Sequence, residues 1–550
     1  MIYKYAIDFG TTNSSIALRT RDEITGDENT IVFQIQDSQG KHLTMPSVIY
    51  IDSQTDTKDI GSLFVGHDAK EKFANSRAVG KRLVREVKLE IDKENDIITD
   101  SVGTKFSATA LIAAILLKLK RVADKELEIM EIKPRGVVMG VPVSFSDKSK
   151  AMLRAALVQA GFYKTEIEAK KLTEFVSEPV AVAVFYGVEM QEEKQVMVFD
   201  FGGGTLDIAI LRLKPKGSQA DRRLPHDVVA KVRQTIGGER ITRLIFEKII
   251  RKHYQQEFKQ YASDFGFNGK DSDDEYWLAL SETTAGLKLL EAMEELKCTL
   301  SNDLTVKFSF SEGNVFFGRK VITQSEFERV LEENGVLTEV EDLVRGCLAQ
   351  AKMKNYDIDD VLLAGGSSLI PCFQRLLIED LRFGPNKVHG CTIRNAVARE
   401  VLTSIVRGLA VYGCIDERVS TPIVDDIVDH DYGIWDVIKK EVSIILKAGT
   451  SFSETLYQRE MAIGGCFKEY DAVGMDGPST QIPLQVYEVF AGRKVSLGTI
   501  NLNQSGSGKY KVFMRADDKT GCLVVDIFDR LYHKWYDDIP LRDREFDISK

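Results

Sequence analysis

The chain has 550 residues, 43% hydrophobic and 28% charged, with a formal net charge of −10. That length exceeds one domain and suits two lobes plus a further unit, and the acidic balance without a basic stripe excludes nucleic acid as the expected partner. No apolar run is long enough to span a bilayer, the first residues enter a strand without a leader pattern, and seven scattered cysteines without a Cys-x-x-Cys pair read as reduced thiols of a cytoplasmic protein.

Tyr5-Ala-Ile-Asp-Phe-Gly-Thr-Thr-Asn-Ser-Ser-Ile-Ala-Leu18 reads as a hairpin. Its first arm carries Asp8, and its tip holds Gly10, Thr11, Thr12 and Asn13. Thr44 to Ile51 reads as an edge strand entered through Pro46. Apolar residues at helical spacing predict a helix over Phe106 to Val122. Gly136 to Phe145 reads as a buried strand, followed by a helix from about Asp147 to Gly161. Pro179 suits a first helical turn, Glu178 at that start favours the helix dipole, and Ala181 and Ala183 are small enough for two lobes to cross closely.

Val196 to Leu211 repeats the first design, with Asp200 ending one arm, Gly202, Gly203, Gly204 and Thr205 at the tip, and Asp207 on the return. Glycines bring backbone N–H groups close to a ligand, and a row of such groups is an anion-binding concavity. Asp200 is placed to hold a hydrated Mg²⁺. One such stretch could be an ordinary glycine-rich hairpin. Two of them suggest a duplicated fold whose lobes face one ligand, with Asp8 and Asp200 on opposite sides of a phosphate–metal cluster.

A helix is expected from about Arg240 to Tyr261, a solvated acidic loop from Lys270 to Glu275, and a second helix from about Glu282 to Leu300. Ser325-Glu-Phe-Glu328 reads as a capping box, and a further helix from about Leu337 to Met353. Val361-Leu-Leu-Ala-Gly-Gly-Ser-Ser-Leu-Ile-Pro371 is a buried strand running into a Gly-Gly turn where a flat ring can lie against the backbone. Asp416 to Asp431 alternates Val or Ile with acids. From Tyr432 on, short β-rich runs dominate: Val442 to Thr450, Leu484 to Phe490 and Gly521 to Phe528.

With these stretches, the chain resembles the actin-fold ATPases and, among them, the DnaK-type heat-shock chaperones. The hairpins match that family's two phosphate motifs, and Val361 to Pro371 its adenosine motif. The resemblance implies an α/β, two-lobed actin-like fold of duplicated mixed sheets flanked by helices, then an all-β sandwich-like domain. Its boundaries fall at 1–178 for lobe I, 179–414 for lobe II with a final helix (Glu400 to Ala410) returning to lobe I, 415–431 for a linker and 432–550 for a substrate domain. The implied ligands are ATP or ADP with Mg²⁺, the metal held by Asp8 and Asp200 through water.

Further site residues come from the same resemblance. Lys81-Arg-Leu-Val-Arg85 is similar to the family's Lys-Arg-Leu-Ile-Gly, making Lys81 the catalytic cation. Glu178 matches the glutamate near the metal and the lytic water, and Asp200 and Thr205 complete the catalytic set. Gly237 and Gly238 match a turn near the phosphates and ribose. Glu294, Lys297, Cys298 and Ser301 match an adenosine-contacting helix, with Cys298 where some relatives stack an arginine on adenine. Gly365, Gly366, Ser367 and Leu369 follow in the adenosine motif. Pro142 matches a relay proline, whereas Lys150 stands at the relay arginine and lacks its planar fork.

The activity implied is slow ATP hydrolysis coupled to binding of unfolded or extended polypeptide. A J-domain co-chaperone and a nucleotide-exchange factor are the candidate partners. The family's helical lid does not follow the sandwich, so a lidless groove with fast exchange is expected. The alternatives are a partner-binding regulator on the same fold, a small-molecule kinase and an actin-like filament.

Overall fold

The computed structural model describes residues 3–21, 28–37, 40–51, 59–75, 82–91, 97–99, 105–142, 145–187, 192–213, 226–267, 269–270, 272–390, 398–413, 424–425, 428, 431–436, 440–448, 450, 467–471, 482–490, 493–502, 509–516, 523–529, 534–539 and 546–547. Its first sheet contains β1 (Lys4–Phe9), β2 (Asn13–Arg21), β3 (Glu28–Val32), β4 (Gly136–Val141) and β5 (Thr173–Ser177), in the order β5-β4-β1-β2-β3. β1, β2 and β3 are antiparallel, while β4 and β5 add in parallel beside β1. Every residue of β4 is buried, which is why its sequence is an unbroken apolar run rather than an alternation.

The second sheet repeats this plan. β6 (Lys194–Phe201), β7 (Leu206–Leu213) and β8 (His226–Gln234) are antiparallel. β9 (Asp360–Ala364) and β10 (Val388–His389) lie parallel on the other side of β6. A two-residue strand, β11 (Val424–Asp425), adds in parallel to the free edge of β8.

Helices cover these sheets. α1 (Ala108–Ile129) starts where the Ser107 hydroxyl accepts from the Ala110 N–H at 3.1 Å. It extends about two turns past the expected end at Val122, carried by buried Ala123 and Leu127. α2 (Asp147–Gln159) is capped by Ser146 in the same way. α3 (Glu178–Gly187) and α5 (Ala398–Tyr412) cross between the sheets, with α4 (Thr284–Leu300) further out on the second lobe. A Cβ at Gly408 would lie 1.7 Å from the Ala181 carbonyl oxygen, so the crossing requires glycine there. Apolar residues of both sheets and both helices (Ala6, Val138, Val198, Leu362, Ala181, Leu409) share one buried cluster. It joins the lobes at their base.

Several expectations are corrected. Thr44 to Ile51 is two strands: Met45–Pro46 pairs with β2, and Ile49–Ile51 lies between two other strands in a small sheet rather than at an edge. The run pairs with two different sheets, and it leaves strand geometry at Ser47 and Val48 to pass between them. The helix expected over Arg240 to Tyr261 is interrupted at Tyr254, whose hydroxyl donates to the Gly318 carbonyl at 2.7 Å. The acidic stretch opens a helix, Asp273–Glu282, rather than a loop: Ser272 caps it and its first-turn acids suit the dipole. Asp273 and Asp274 also pair with Arg251 and Arg243. The cap near Ser325 is Thr323, which accepts from the Glu326 N–H at 3.1 Å.

The C-terminal unit has two sheets. Asp431–Asp436, Glu441–Leu446, Ile482–Phe490, Arg493–Leu502 and Phe546–Asp547 form one; Phe467–Asp471, Lys509–Ala516, Leu523–Asp529 and Lys534–Ile539 form the other. Residues of both, among them Ile434, Val486, Val512 and Val525, make one core, as in a sandwich. Among the described residues no helix is long and apolar enough to cross a membrane.

Candidate functional site

The tips of the two hairpins meet. A Cβ at Gly203 would lie 1.9 Å from the Thr12 hydroxyl oxygen, and one at Gly204 would lie 3.3 Å from Thr11. The small residues that sequence reasoning assigned to phosphate cradling therefore also let the lobes close. Higher up, Lys70 on the helix His67–Asn75 pairs with Glu291 of α4 at 3.0 Å, a second tie across the cleft.

Behind the tips is a cavity of about 140 Å³ lined by Asp8, Gly10–Asn13, Lys88, Glu178, Asp200, Gly202–Thr205 and Arg233, with Gly365, Gly366 and Leu402 on one wall. Asp8 and Asp200 both face it, as the duplicated hairpins require. Burial and the neighbouring Glu178 push the Asp8 carboxyl up to about 7, against the pull of Lys88. Burial, Glu178, Asp207 and Asp8 hold Asp200 well above the usual carboxylate range. Burial also raises Asp207, with Arg233 acting in the opposite direction. Such a concentration of buried acids favours a site that takes a cation.

The cation at the centre is one that sequence reasoning did not assign. Lys88 Nζ lies 2.6 Å from Glu178 Oε1, with side chains 5% and 8% exposed. It also lies between the rings of Phe9 and Phe145, at 5.9 and 5.7 Å from their centroids. Its segment turns into the cleft at Glu86, whose φ of 57° is left-handed, and continues as a short turn Val87–Glu90. Lys81 lies outside the described residues. Val87 and Leu89 beside Lys88 are apolar, but Glu86 and Glu90 flank them, and no local motif marks this lysine. Ser47 was also missed. It donates to the Gly10 carbonyl at 2.8 Å, and its N–H donates to the Thr12 carbonyl at 2.8 Å, clamping the first tip.

Of the residues matched to adenosine, Gly365 and Gly366 line this cavity, whereas Glu294, Lys297, Cys298, Ser301, Ser367 and Leu369 do not. Lys297 Nζ donates to Glu294 at 2.7 Å and to Gly238 O and Thr242 Oγ1, each at 3.0 Å. Burial works against ionisation of Glu294, but Lys297 and Thr242 outweigh it and hold its carboxyl below the usual range. Ser301 donates to the Lys297 carbonyl, and Ser367 to the Gly202 carbonyl at 2.8 Å. The N–H groups of Gly238 and Glu239 donate to the Gly202 and Gly203 carbonyls. Gly237 packs against the same tip. Cys298 is exposed on α4, and Leu369 ends the short turn Gly366–Leu369. The structure thus gathers Asp8, Gly10, Thr11, Thr12, Asn13, Glu178, Asp200, Gly202–Thr205, Gly365 and Gly366 in one place. Of the others, Gly237, Gly238 and Ser367 buttress the second tip directly and Lys297 does so through Gly238.

Two lobes with the same sheet order, hinged by crossing helices and facing each other through paired hairpins, define the two-lobed actin-like ATPase fold, here followed by a β-sandwich. A family model described as Hsp70 protein matches residues 5–399, and the chain belongs to the Hsp70 family. It is 27% identical over 414 residues to the Chaperone protein DnaK of Thermosipho africanus (strain TCF52B), covering 74% of this chain and 59% of that protein. The chain therefore spans about three fifths of the length of that relative.

Proposed function

We propose that this chain binds ATP with Mg²⁺ in the cleft and hydrolyses it slowly, coupled to the holding of an extended polypeptide by the C-terminal β-unit. The observation that carries the reading is the meeting of two like hairpins, each bringing one buried carboxylate to a cavity that also holds the Lys88–Glu178 pair. Family membership supports it.

The residues present fit the metal. Three carboxylates (Asp8, Glu178, Asp200) line the cavity with Lys88 and Arg233, and the crowding that raises Asp8 and Asp200 is what a bound cation would relieve. Among the described residues no three His, Cys, Asp or Glu are grouped as a direct metal cage, and Mg²⁺ keeps several waters when held by one or two carboxylates and phosphates. Asp8 and Asp200 would hold it through water, and it would neutralise phosphate charge. The N–H groups of both tips would bind phosphate oxygens, and the Thr205 hydroxyl, 3.0 Å from Asp207 Oδ2, would add to that cradle. In hydrolysis the water oxygen bonds to the terminal phosphorus as the bridging P–O bond breaks and ADP leaves. Lys88 stabilises charge on the transferred group, and Glu178 orients Lys88 and the water.

A cavity of about 140 Å³ is smaller than the roughly 300 Å³ at which ligand pockets begin, so the lobes part to admit a whole nucleotide. The pairing of β11 with β8 supports coupling of the β-unit to lobe II, and the division into lobes near 178, a linker over 415–431 and a substrate unit from 432 belongs to the same proposal. J-domain and exchange-factor partners and a cytoplasmic setting go with it. The second reading, a regulator that keeps the cleft for partner docking, is favoured by Lys150, which is buried where the family resemblance places a relay arginine.

Calorimetry with ATP and ADP in the presence of Mg²⁺ tests the cleft; absence of any heat of binding would falsify it. Replacing Lys88 and Lys81 separately by Met then assigns the cation: hydrolysis lost only in Lys88→Met is the expected result, and loss only in Lys81→Met reverses the assignment. A labelled apolar heptapeptide binding equally with ATP and ADP would leave the regulator reading.

A further inference from the structure

Arg233 is a charge in the cavity that the scheme above does not use. Asp200, Asp207 and Arg233 are direct cross-strand partners on β6, β7 and β8, and residues directly opposite one another share a face of the sheet. The three therefore form one row, and Arg233 lines the same cavity as Asp8, Lys88 and the Gly202–Thr205 tip.

The contact between Arg233 and Asp207 has an informative geometry. Arg233 Nε lies 3.9 Å from Asp207 Oδ1, with side chains 14% and 2% exposed. That is within ion-pair range and beyond hydrogen-bond range. Asp207 Oδ1 is buried and accepts no hydrogen bond, whereas Oδ2 accepts from Thr205 in the phosphate tip. One oxygen of this carboxylate is thus tied to the tip, and the other faces the guanidinium through charge alone. In the equivalent row of the first lobe, Asp8 stands opposite Ser15, which is uncharged. The arginine belongs to the second lobe's copy only.

We infer that Arg233 is a built-in cation for the polyphosphate end of the nucleotide, with Asp207 as its positioning residue. This rests on the ATP-cleft reading. A guanidinium presents a planar fork of donors that matches two phosphate oxygens at once, and its charge does not depend on pH. Asp207 keeps the guanidinium aligned with the row through the charge of Oδ1, 3.9 Å away. Lys88 approaches from the first lobe and Arg233 from the second, so the terminal phosphate lies between cations from opposite sides. ADP, which lacks that phosphate, gains less from Arg233 than ATP does.

The test uses the full chain and compares ATP with ADP, each with Mg²⁺, by calorimetry, together with melting temperature without nucleotide. Arg233→Gln should weaken ATP roughly tenfold or more, the range for a lost charge-assisted contact, and change ADP by less than about threefold. Arg233→Lys keeps a charge beside Asp207 but loses the fork, and should recover only part of the ATP affinity. It also keeps the test decisive if Arg233→Gln does not fold. Asp207→Asn should lower the preference for ATP with Arg233 still present. Equal losses for both nucleotides, or full recovery by Arg233→Lys, would overturn the inference and leave Arg233 as a neutraliser of Asp207. A wild-type chain that binds neither nucleotide would instead remove the cleft reading itself.

Discussion

The two lobes share a frame and differ in what they hang on it. β1 and β2 correspond to β6 and β7, and β4 to β9, with the same directions. In the first lobe the row through Asp8 runs Gly140, Asp8, Ser15; in the second the row through Asp200 runs Ala364, Asp200, Asp207, Arg233. The row of the first lobe thus carries a single carboxylate beside a tip of threonines, with Lys88 and Glu178 added from outside the row; that of the second carries three charges beside a tip of glycines. Hydroxyls on one tip occupy the space that side chains would need on the other. Duplication fixes the geometry, and divergence of the rungs gives each lobe its own part of the chemistry.

The comparison can be broken first at the tips. Gly203→Val places a branched side chain where Thr12 lies, and turnover should fall by roughly a hundredfold or more, as when reacting groups lose their alignment. Thr12→Gly in the same chain should restore part of it. Full activity in Gly203→Val by a phosphate-release assay would show that the tips need not meet.

Lys88→Met leaves Glu178 buried without its partner. Besides the loss of hydrolysis it should cost about 3–5 kcal/mol of stability, the usual result of breaking a buried pair. Chemical denaturation measures this. Lys88→Met with Glu178→Gln should be less destabilised than Lys88→Met alone.

The carboxylates sharpen the contrast through pH. The folded chain holds a proton on Asp8 up to about pH 7, whereas an unfolded aspartate loses it near 4. Between those values the folded state binds more protons, so this group's contribution to stability falls as pH rises through that window. On the proposed reading, Mg²⁺ held by the ionised carboxylate would reverse the preference. Affinity for ATP·Mg²⁺ should therefore rise from pH 6 to 8, with proton release detectable in buffers of different ionisation enthalpy. A flat profile in wild type, or an unchanged one in Asp8→Asn, would contradict this.

The smallest effect lies at the end of the second sheet away from the cleft. Asp360 on β9 accepts from Lys194 of β6 and pairs with His389 of β10, both at 2.6 Å. Burial opposes its ionisation, yet these bonds hold its carboxyl below the usual range. Its stabilisation is present above the unfolded value and lost as pH falls below it. Asp360→Asn should cost about 1 kcal/mol without altering nucleotide affinity. An altered affinity would mean that the sheet transmits strain to the cleft.

Local pattern made much of this legible. Both hairpins, the buried parallel strands and the Gly-Gly turn after β9 are short-range features, written in strand periodicity and glycine placement. Asp8, Asp200 and the glycine tips could be read for that reason. Lys88 could not, because its neighbours in sequence carry no motif; only the left-handed turn at Glu86 aims it at Glu178, 90 residues away. The same holds for Ser47, which supports a tip 37 residues earlier.

The amino-acid order by itself determined that a strand–acid–glycine–strand unit occurs twice, and hence the lobed class and the two carboxylates, because strand and turn propensities act over a few residues. Tertiary structure alone decided which cation meets Glu178, that Thr12 fills the space over Gly203, and that Arg233 stands in line with Asp207. Those facts depend on register and lobe closure, where the burial of charge is settled between residues that the chain keeps far apart.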